Sequence, residues 1–205
     1  MYTRRPGLIL GFHGCDQAVA DAVIATGDSL RASANLYDWL GHGIYFWEYS
    51  PLRALEYAHG LQKQPARATA PIKQPAVIGA VIDLGLCLDL SERESLRSLK
   101  ETYGFVAQFF DTAGLVMPQN KPGQEGRDLL RRELDCLVIE TLHDINRTKD
   151  QPSFDSVRGV FWEGDELYPN AGFREKNHVQ LCVRNPNCIK GYFRPRVTEA
   201  AYAAV

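Results

Sequence analysis

Two stretches decide how this chain is read: GFHGCD (residues 11–16) and, some thirty residues on, GHGIYFWEYSPLRALEYA (residues 41–58). In the first, His13 stands between Phe12 and Gly14 within an apolar run, where a His-Gly pair is a poor choice for packing alone. In the second, Gly41 and Gly43 bracket His42 and feed an aromatic strand, Ile44 to Trp47. A polar strand residue, a glycine that admits a ligand to the backbone and an exposed aromatic together describe a pocket for a flat, amide-bearing ring.

The flanking sequence builds elements around these stretches. Residues 7–12 read as a short buried strand between Pro6 and Gly14. Asp16 is placed to cap a helix over 17–25, with Val19, Ala20, Val23 and Ile24 on one face and Gly27 ending it. Residues 29–40 form a polar loop. Ser50 caps the next helix, Pro51 fits its first turn, and Leu52, Leu55, Ala54 and Ala58 give it an apolar face. Prolines make 62–74 a loop. Residues 76–84 are a central strand that 86–90 continue past Gly85. Ser91 and Glu94 form a capping box for a helix through about Tyr103. A Gly/Pro-rich connection (114–126) leads to a helix over 127–143 carrying Leu129, Leu130, Leu134, Leu137, Val138 and Leu142. Strands follow over 154–161, 178–183 and 188–194, the first two separated by an acidic turn. The alanine-rich tail, 198–205, reads as helical or frayed.

Five to seven short strands and four helices without regular alternation give an α+β fold. At 205 residues the chain reads as a single domain, 1–205, with a mainly helical insertion at about 91–147. A net charge of −2 argues against a protein that coats nucleic acid. Five cysteines, an odd number without a CxxC pair, read as reduced thiols. The apolar run before His13 is too short for a secretory leader or a membrane span, so a cytoplasmic location is expected, without membrane association. No HExxH, GxSxG, P-loop or GxGxxG is present, so metal hydrolysis, a serine triad, P-loop phosphoryl transfer and a Rossmann site are not supported.

The order His13-Gly14, Gly43-Ile44-Tyr45 and Gln180 in a late strand (HVQLCVRNPNCI, residues 178–189) resembles the ADP-ribosyltransferase superfamily. The branch it is most similar to is the diphtheria-toxin and poly-ADP-ribose-polymerase type, whose triad is His-Tyr-Glu; here the third member is a Gln, as in poorly characterised bacterial members. The resemblance covers residues 8–58 and 154–189. It implies split antiparallel sheets around an NAD cleft, NAD as substrate and no metal. His13 would bond a ribose hydroxyl and the Gly14 backbone would pair with the nicotinamide amide. Tyr45 would stack on the ring, with Tyr57 covering its other face. Gln180 would hold the nicotinamide-ribose 2′-hydroxyl and steady the oxocarbenium-like centre.

The activity implied is mono-ADP-ribosylation of a macromolecule, protein or RNA, by a toxin or defence effector, for which an antitoxin protein is a candidate partner. Binding of NAD or a nucleic-acid end without turnover, and NAD hydrolysis, are the alternatives. Gln in place of Glu removes a proton acceptor, so either the acceptor is already nucleophilic or another carboxylate, Glu163 or Glu175 in the acidic turn, assists. Ala54 stands near where the polymerase branch carries a serine hydroxyl. Arg127, Arg131, Arg132 and Lys121 read as a solvated face. Arg184, Lys190, Arg194 and Arg196 make the C-terminal strands locally basic, fit to meet a phosphate of NAD or RNA.

Overall fold

The structure is a computed structural model describing residues 7–68, 70–123 and 128–196. The alanine-rich tail and Arg127 lie outside the described residues. Strand β1 (Ile9–Asp16) leads into helix α1 (Gln17–Thr26), and β2 (Ile44–Glu48) into α2 (Pro51–Lys63). Strands β3 (Pro75–Ile82) and β4 (Cys87–Asp89) precede α3 (Arg93–Thr112). A hairpin of β5 (Asn120–Lys121) and β6 (Arg131–Arg132) leads to α4 (Glu133–Thr148). Strands β7 (Ser156–Phe161), β8 (His178–Val183) and β9 (Ile189–Phe193) follow.

Apart from the β5–β6 hairpin, the strands form one sheet in the order β4-β7-β8-β2-β1-β3-β9. Its pairs are antiparallel except β4 with β7. The architecture is thus mixed α+β with a mostly antiparallel sheet. Two separate small sheets are not what forms. Instead there is one hydrogen-bonded sheet with a narrow seam: β1 and β2 register only at Gly11↔Glu48 and Phe12↔Trp47. The neighbouring β1–β3 ladder holds from Ile9↔Ile82 to Asp16↔Pro75. The strands therefore part beyond Phe12, immediately before His13 and Gly14.

Side chains alternate across the pleat, so the register assigns them to faces. One face carries Ile9, Ile44, Phe46, Ile78, Ala80, Ile82, Leu181 and Val183, covered by Ala20 and Val23 of α1. On the other, Ala54 of α2 packs on Phe12 and Trp47. Farther along that second face, Ile139 and Leu142 of α4 pack on Leu88, Val157 and Cys182. Burying each large side chain such as Phe46 or Leu181 contributes roughly 1.5–3 kcal/mol.

Some local signals act as read: Asp16 caps α1 by accepting from the Ala18 amide at 3.0 Å, and Gly27 ends it at φ 73°. Others do not. Ser50 makes no capping bond, and Leu52 is 73% exposed, so α2 seats itself through Ala54 and Ala58. Ser91 donates to Asp89 at 2.7 Å instead of capping α3, which runs on to Thr112 along α4. Helix α4 starts at Glu133 because residues 131–132 pair with 120–121. Its first amides, Leu134 and Asp135, are capped across the hairpin by Asn120 Oδ1 at 3.0 and 3.2 Å. Gly85, at φ 58°, turns the chain out of β3, so β4 joins the far edge of the sheet beside β7. No helix among the described residues is long and apolar enough to cross a membrane.

Candidate functional site

The seam positions the first motif. His13 Nδ1 lies 2.8 Å from the Tyr45 carbonyl oxygen across the gap where β1 and β2 have parted. A carbonyl only accepts, so Nδ1 carries the proton and Nε2 keeps its lone pair. Burial lowers the His13 pKa against the opposing effect of that hydrogen bond, which keeps the ring neutral. Its ring meets Phe46 edge-on, with centroids 6.0 Å apart. By pleat alternation His13 reaches the seam from the Phe46 face, whereas Tyr45 and Gln180 belong to the other face.

Gly14 is required by packing. A Cβ there would lie 1.9 Å from the Ala54 carbonyl oxygen, so the glycine seats α2 rather than leaving room above the strand. Its backbone is a separate matter. The Leu10 carbonyl accepts from the Tyr49 amide on the β2 side at 3.0 Å. Two-residue alternation turns the polar groups of Gly14 the same way, past the last registered pair. Ala54 itself is fully buried and supplies the backbone carbonyl that meets Gly14. Gly43 has a packing reason too, since a Cβ there would sit 2.6 Å from Cys182 Sγ.

The aromatic strand is turned inward. Phe46 and Trp47 are buried, so the exposed aromatic expected at the end of this strand is absent. The Tyr45 hydroxyl donates to the Gly41 carbonyl at 2.7 Å and accepts from the Leu40 amide at 2.8 Å, bracing the 40–44 turn. Its ring packs with the Leu40–Val157–Cys182 cluster, and burial drives its pKa well above the ordinary phenol value. Tyr57 is 41% exposed on α2, with its ring centroid 4.9 Å from that of Trp47. Of the two tyrosines, Tyr57 is the more exposed.

Gln180 is 9% exposed in β8 and stands directly opposite Trp47 of β2. Its Oε1 is buried without a hydrogen-bond partner in the protein. Three further atoms share that condition around it: Trp47 Nε1, His178 Nε2 and Arg53 Nε. Trp47 and His178 have ring centroids 6.5 Å apart, and His178 precedes Gln180 by two residues on the same strand face. Arg53 Nη2 lies 3.2 Å from Glu163 Oε2, which lies 3.9 Å from His178 Nδ1. A buried, unpaired polar atom costs about 1–3 kcal/mol, and both ring nitrogens of His143 on α4 are in the same condition.

Glu163 and Glu175 separate here. Glu163 is mostly buried beside Arg53 and His178, and burial raises its pKa against the pull of Arg53. Glu175 is exposed in the turn and does not join the cluster. Trp39 and Phe161 wall the far side of His178, with Arg132 stacked over both rings at 4.4 and 4.8 Å. The sequence gives no sign that Trp47, His178 and Arg53 gather around Gln180, beyond the two-residue spacing of His178 and Gln180; the cross-strand pairing that brings Trp47 in leaves none.

Other arrangements carry less. Cys136 Sγ lies 3.9 Å from His42 Nε2, and His42 Nδ1 lies 3.5 Å from Glu140, in the manner of a nucleophile-base-carboxylate set. But Cys136 is buried and burial pushes its thiol up to about 11, the opposite of activation. Glu140 is also held by Arg184 at 3.0 Å. Among the described residues no group of three His, Cys, Asp or Glu side chains is arranged to hold a metal. No protein-family model and no curated protein matches the chain.

Proposed function

We propose that the protein is a mono-ADP-ribosyltransferase that cleaves NAD to nicotinamide and transfers ADP-ribose to a protein or RNA. The observation that carries this reading is Gln180. It is a buried amide with an unpaired oxygen, on β8, which pairs with β2, one of the two strands flanking the seam where His13 meets the Tyr45 backbone. Nicotinamide leaves as a neutral molecule, so the chemistry asks for positioning and for stabilisation of the developing oxocarbenium more than for a strong acid. Gln180 Oε1 holds the 2′-hydroxyl of the nicotinamide ribose. His13 stands on the opposite face of the sheet from Gln180, so its Nε2 meets a ribose hydroxyl only through the parted seam; Gly14 offers its backbone to the carboxamide, and Tyr57 covers the ring. Tyr45 contributes by fixing the turn before β2 and the carbonyl that orients His13. Glu163, rather than Glu175, is the carboxylate placed to assist an incoming nucleophile.

A second reading follows from the neutral Gln180, which cannot accept a proton: the same cleft binds NAD or a nucleic-acid end without turnover. A toxin or defence role, with an antitoxin partner, belongs to the first reading. Incubation with adenylate-labelled NAD and cell extract separates them. Nicotinamide release with label on protein or RNA supports transfer, release without label marks a glycohydrolase, and NAD binding without release supports the binding module.

A further inference from the structure

Helix α3 is long but poorly seated. Of its 20 residues, Ser95, Thr102 and Val106 alone are buried, and none of them is large. It packs along α4, and between the two helices and the sheet a cavity of about 320 Å³ remains. Leu40, Leu90, Leu99, Leu134, Val138 and Ile139 give it an aliphatic lining. A water takes up ~30 Å³, so the space is that of about ten waters, yet an aliphatic lining offers water no partners.

The aromatic walls are already in use. Arg132 lies over the rings of Trp39 and Phe161 at 4.4 and 4.8 Å, and His178 stands against both, with centroids 6.2 and 5.5 Å away. A flat ring entering the cavity would find these stacking positions taken, whereas a flexible chain needs the aliphatic surface alone.

Three charged side chains also line the cavity: Lys100, Arg132 and Asp135. Asp135 accepts from Asn120 Nδ2 at 2.8 Å and lies 3.4 Å from Arg132 Nη1, so these two charges answer each other. Lys100 is exposed on α3 and has no hydrogen-bond or ion-pair partner among the described residues. One positive charge is thus left over beside an apolar space. A single carboxylate balances it. A phosphate monoester, at about −1.5 to −2, would bring excess negative charge next to Asp135.

We propose that this cavity binds a medium-chain aliphatic monocarboxylate, with its chain between α3 and α4 and its carboxylate at Lys100. The chain covers Leu99 and the half-exposed Tyr103, and supplies the apolar contact that α3 lacks. Binding here does not depend on NAD.

The test is calorimetry with octanoate, octanol and octyl phosphate, each below its micelle-forming concentration, on wild type, Lys100→Gln and Leu99→Trp. The first substitution removes the unpaired cation and leaves the walls intact; the second fills the cavity. Wild type is expected to bind octanoate below about 1 mM and to prefer it about 3- to 10-fold over the other two. Lys100→Gln should lose about 2- to 5-fold for octanoate and nothing for octanol, and Leu99→Trp should bind neither. No octanoate binding by wild type overturns the site. Octanol bound equally well, or octyl phosphate bound more tightly, overturns the carboxylate assignment. Octanoate binding unchanged in Leu99→Trp shows that the ligand lies elsewhere and overturns the proposal. Should Leu99→Trp fail to fold, methyl NMR of wild type decides. Magnetisation transfer from octanoate to the Val138 and Ile139 methyls is expected, and octanoate bound without it refutes the assignment.

Discussion

Replacing Gln180 by Met separates a residue kept for function from one kept for structure. Methionine is close to glutamine in length and flexible enough to fill the same space without a polar atom. Gln180 is 9% exposed and its Oε1 has no partner in the protein, so the wild-type fold carries the cost of one buried unpaired acceptor, about 1–3 kcal/mol. Removing it, with some loss to imperfect packing, should stabilise the protein by about 1–2 kcal/mol. For a chain of this size that corresponds to a rise in Tm of roughly 3–6 °C. Urea titration and a thermal melt read the stability, and calorimetry on the same samples reads NAD binding, which should fall. A variant destabilised by about 1 kcal/mol or more would show that the amide holds strands together and would refute the reasoning.

Other perturbations follow from the same geometry. Gly14→Ala places a methyl 1.9 Å from the Ala54 carbonyl; α2 must shift, costing about 1–3 kcal/mol in urea denaturation and displacing Arg53 and Tyr57 with it. Tyr45→Phe leaves the Leu40 amide unpaired and the Gly41 carbonyl with only the weak Cys182 Sγ donor, a loss of about 1–3 kcal/mol that denaturation measures directly. His143 is buried and its pKa is lowered to about 4, chiefly by burial. A lowered histidine pKa means the unfolded chain binds the proton first, so its contribution is present above about pH 6.5 and is lost as pH falls toward 4. That contribution is about 3 kcal/mol, and His143→Phe should flatten the stability profile over that window.

How much of this was legible in the sequence depends on the range of the interaction involved. Asp16 and Gly27 bound α1 by contacts within a few residues, and they read correctly. The capping of α4 by Asn120 and the diversion of Ser91 to Asp89 arise from partners brought in by tertiary structure, so Ser91 with Glu94 misled. Glycines 14 and 43 were read as openings for a ligand. They are openings, but Ala54 and Cys182 fill them, and no local pattern distinguishes the two cases. Tyr45 was read as a ring for stacking because a strand aromatic carries no mark of where its hydroxyl goes. The two-residue spacing of His178 and Gln180 puts them on one strand face, whereas Trp47 joins them only through the β2–β8 register.

The central claim is that this protein uses NAD as a substrate. The most direct measurement is nicotinamide release from adenylate-labelled NAD by the purified protein in cell extract, with label followed into protein and RNA separately. Release accompanied by label on one macromolecular fraction, abolished by Tyr45→Ala and sharply reduced by Gln180→Ala, is the predicted result. No nicotinamide release would contradict it.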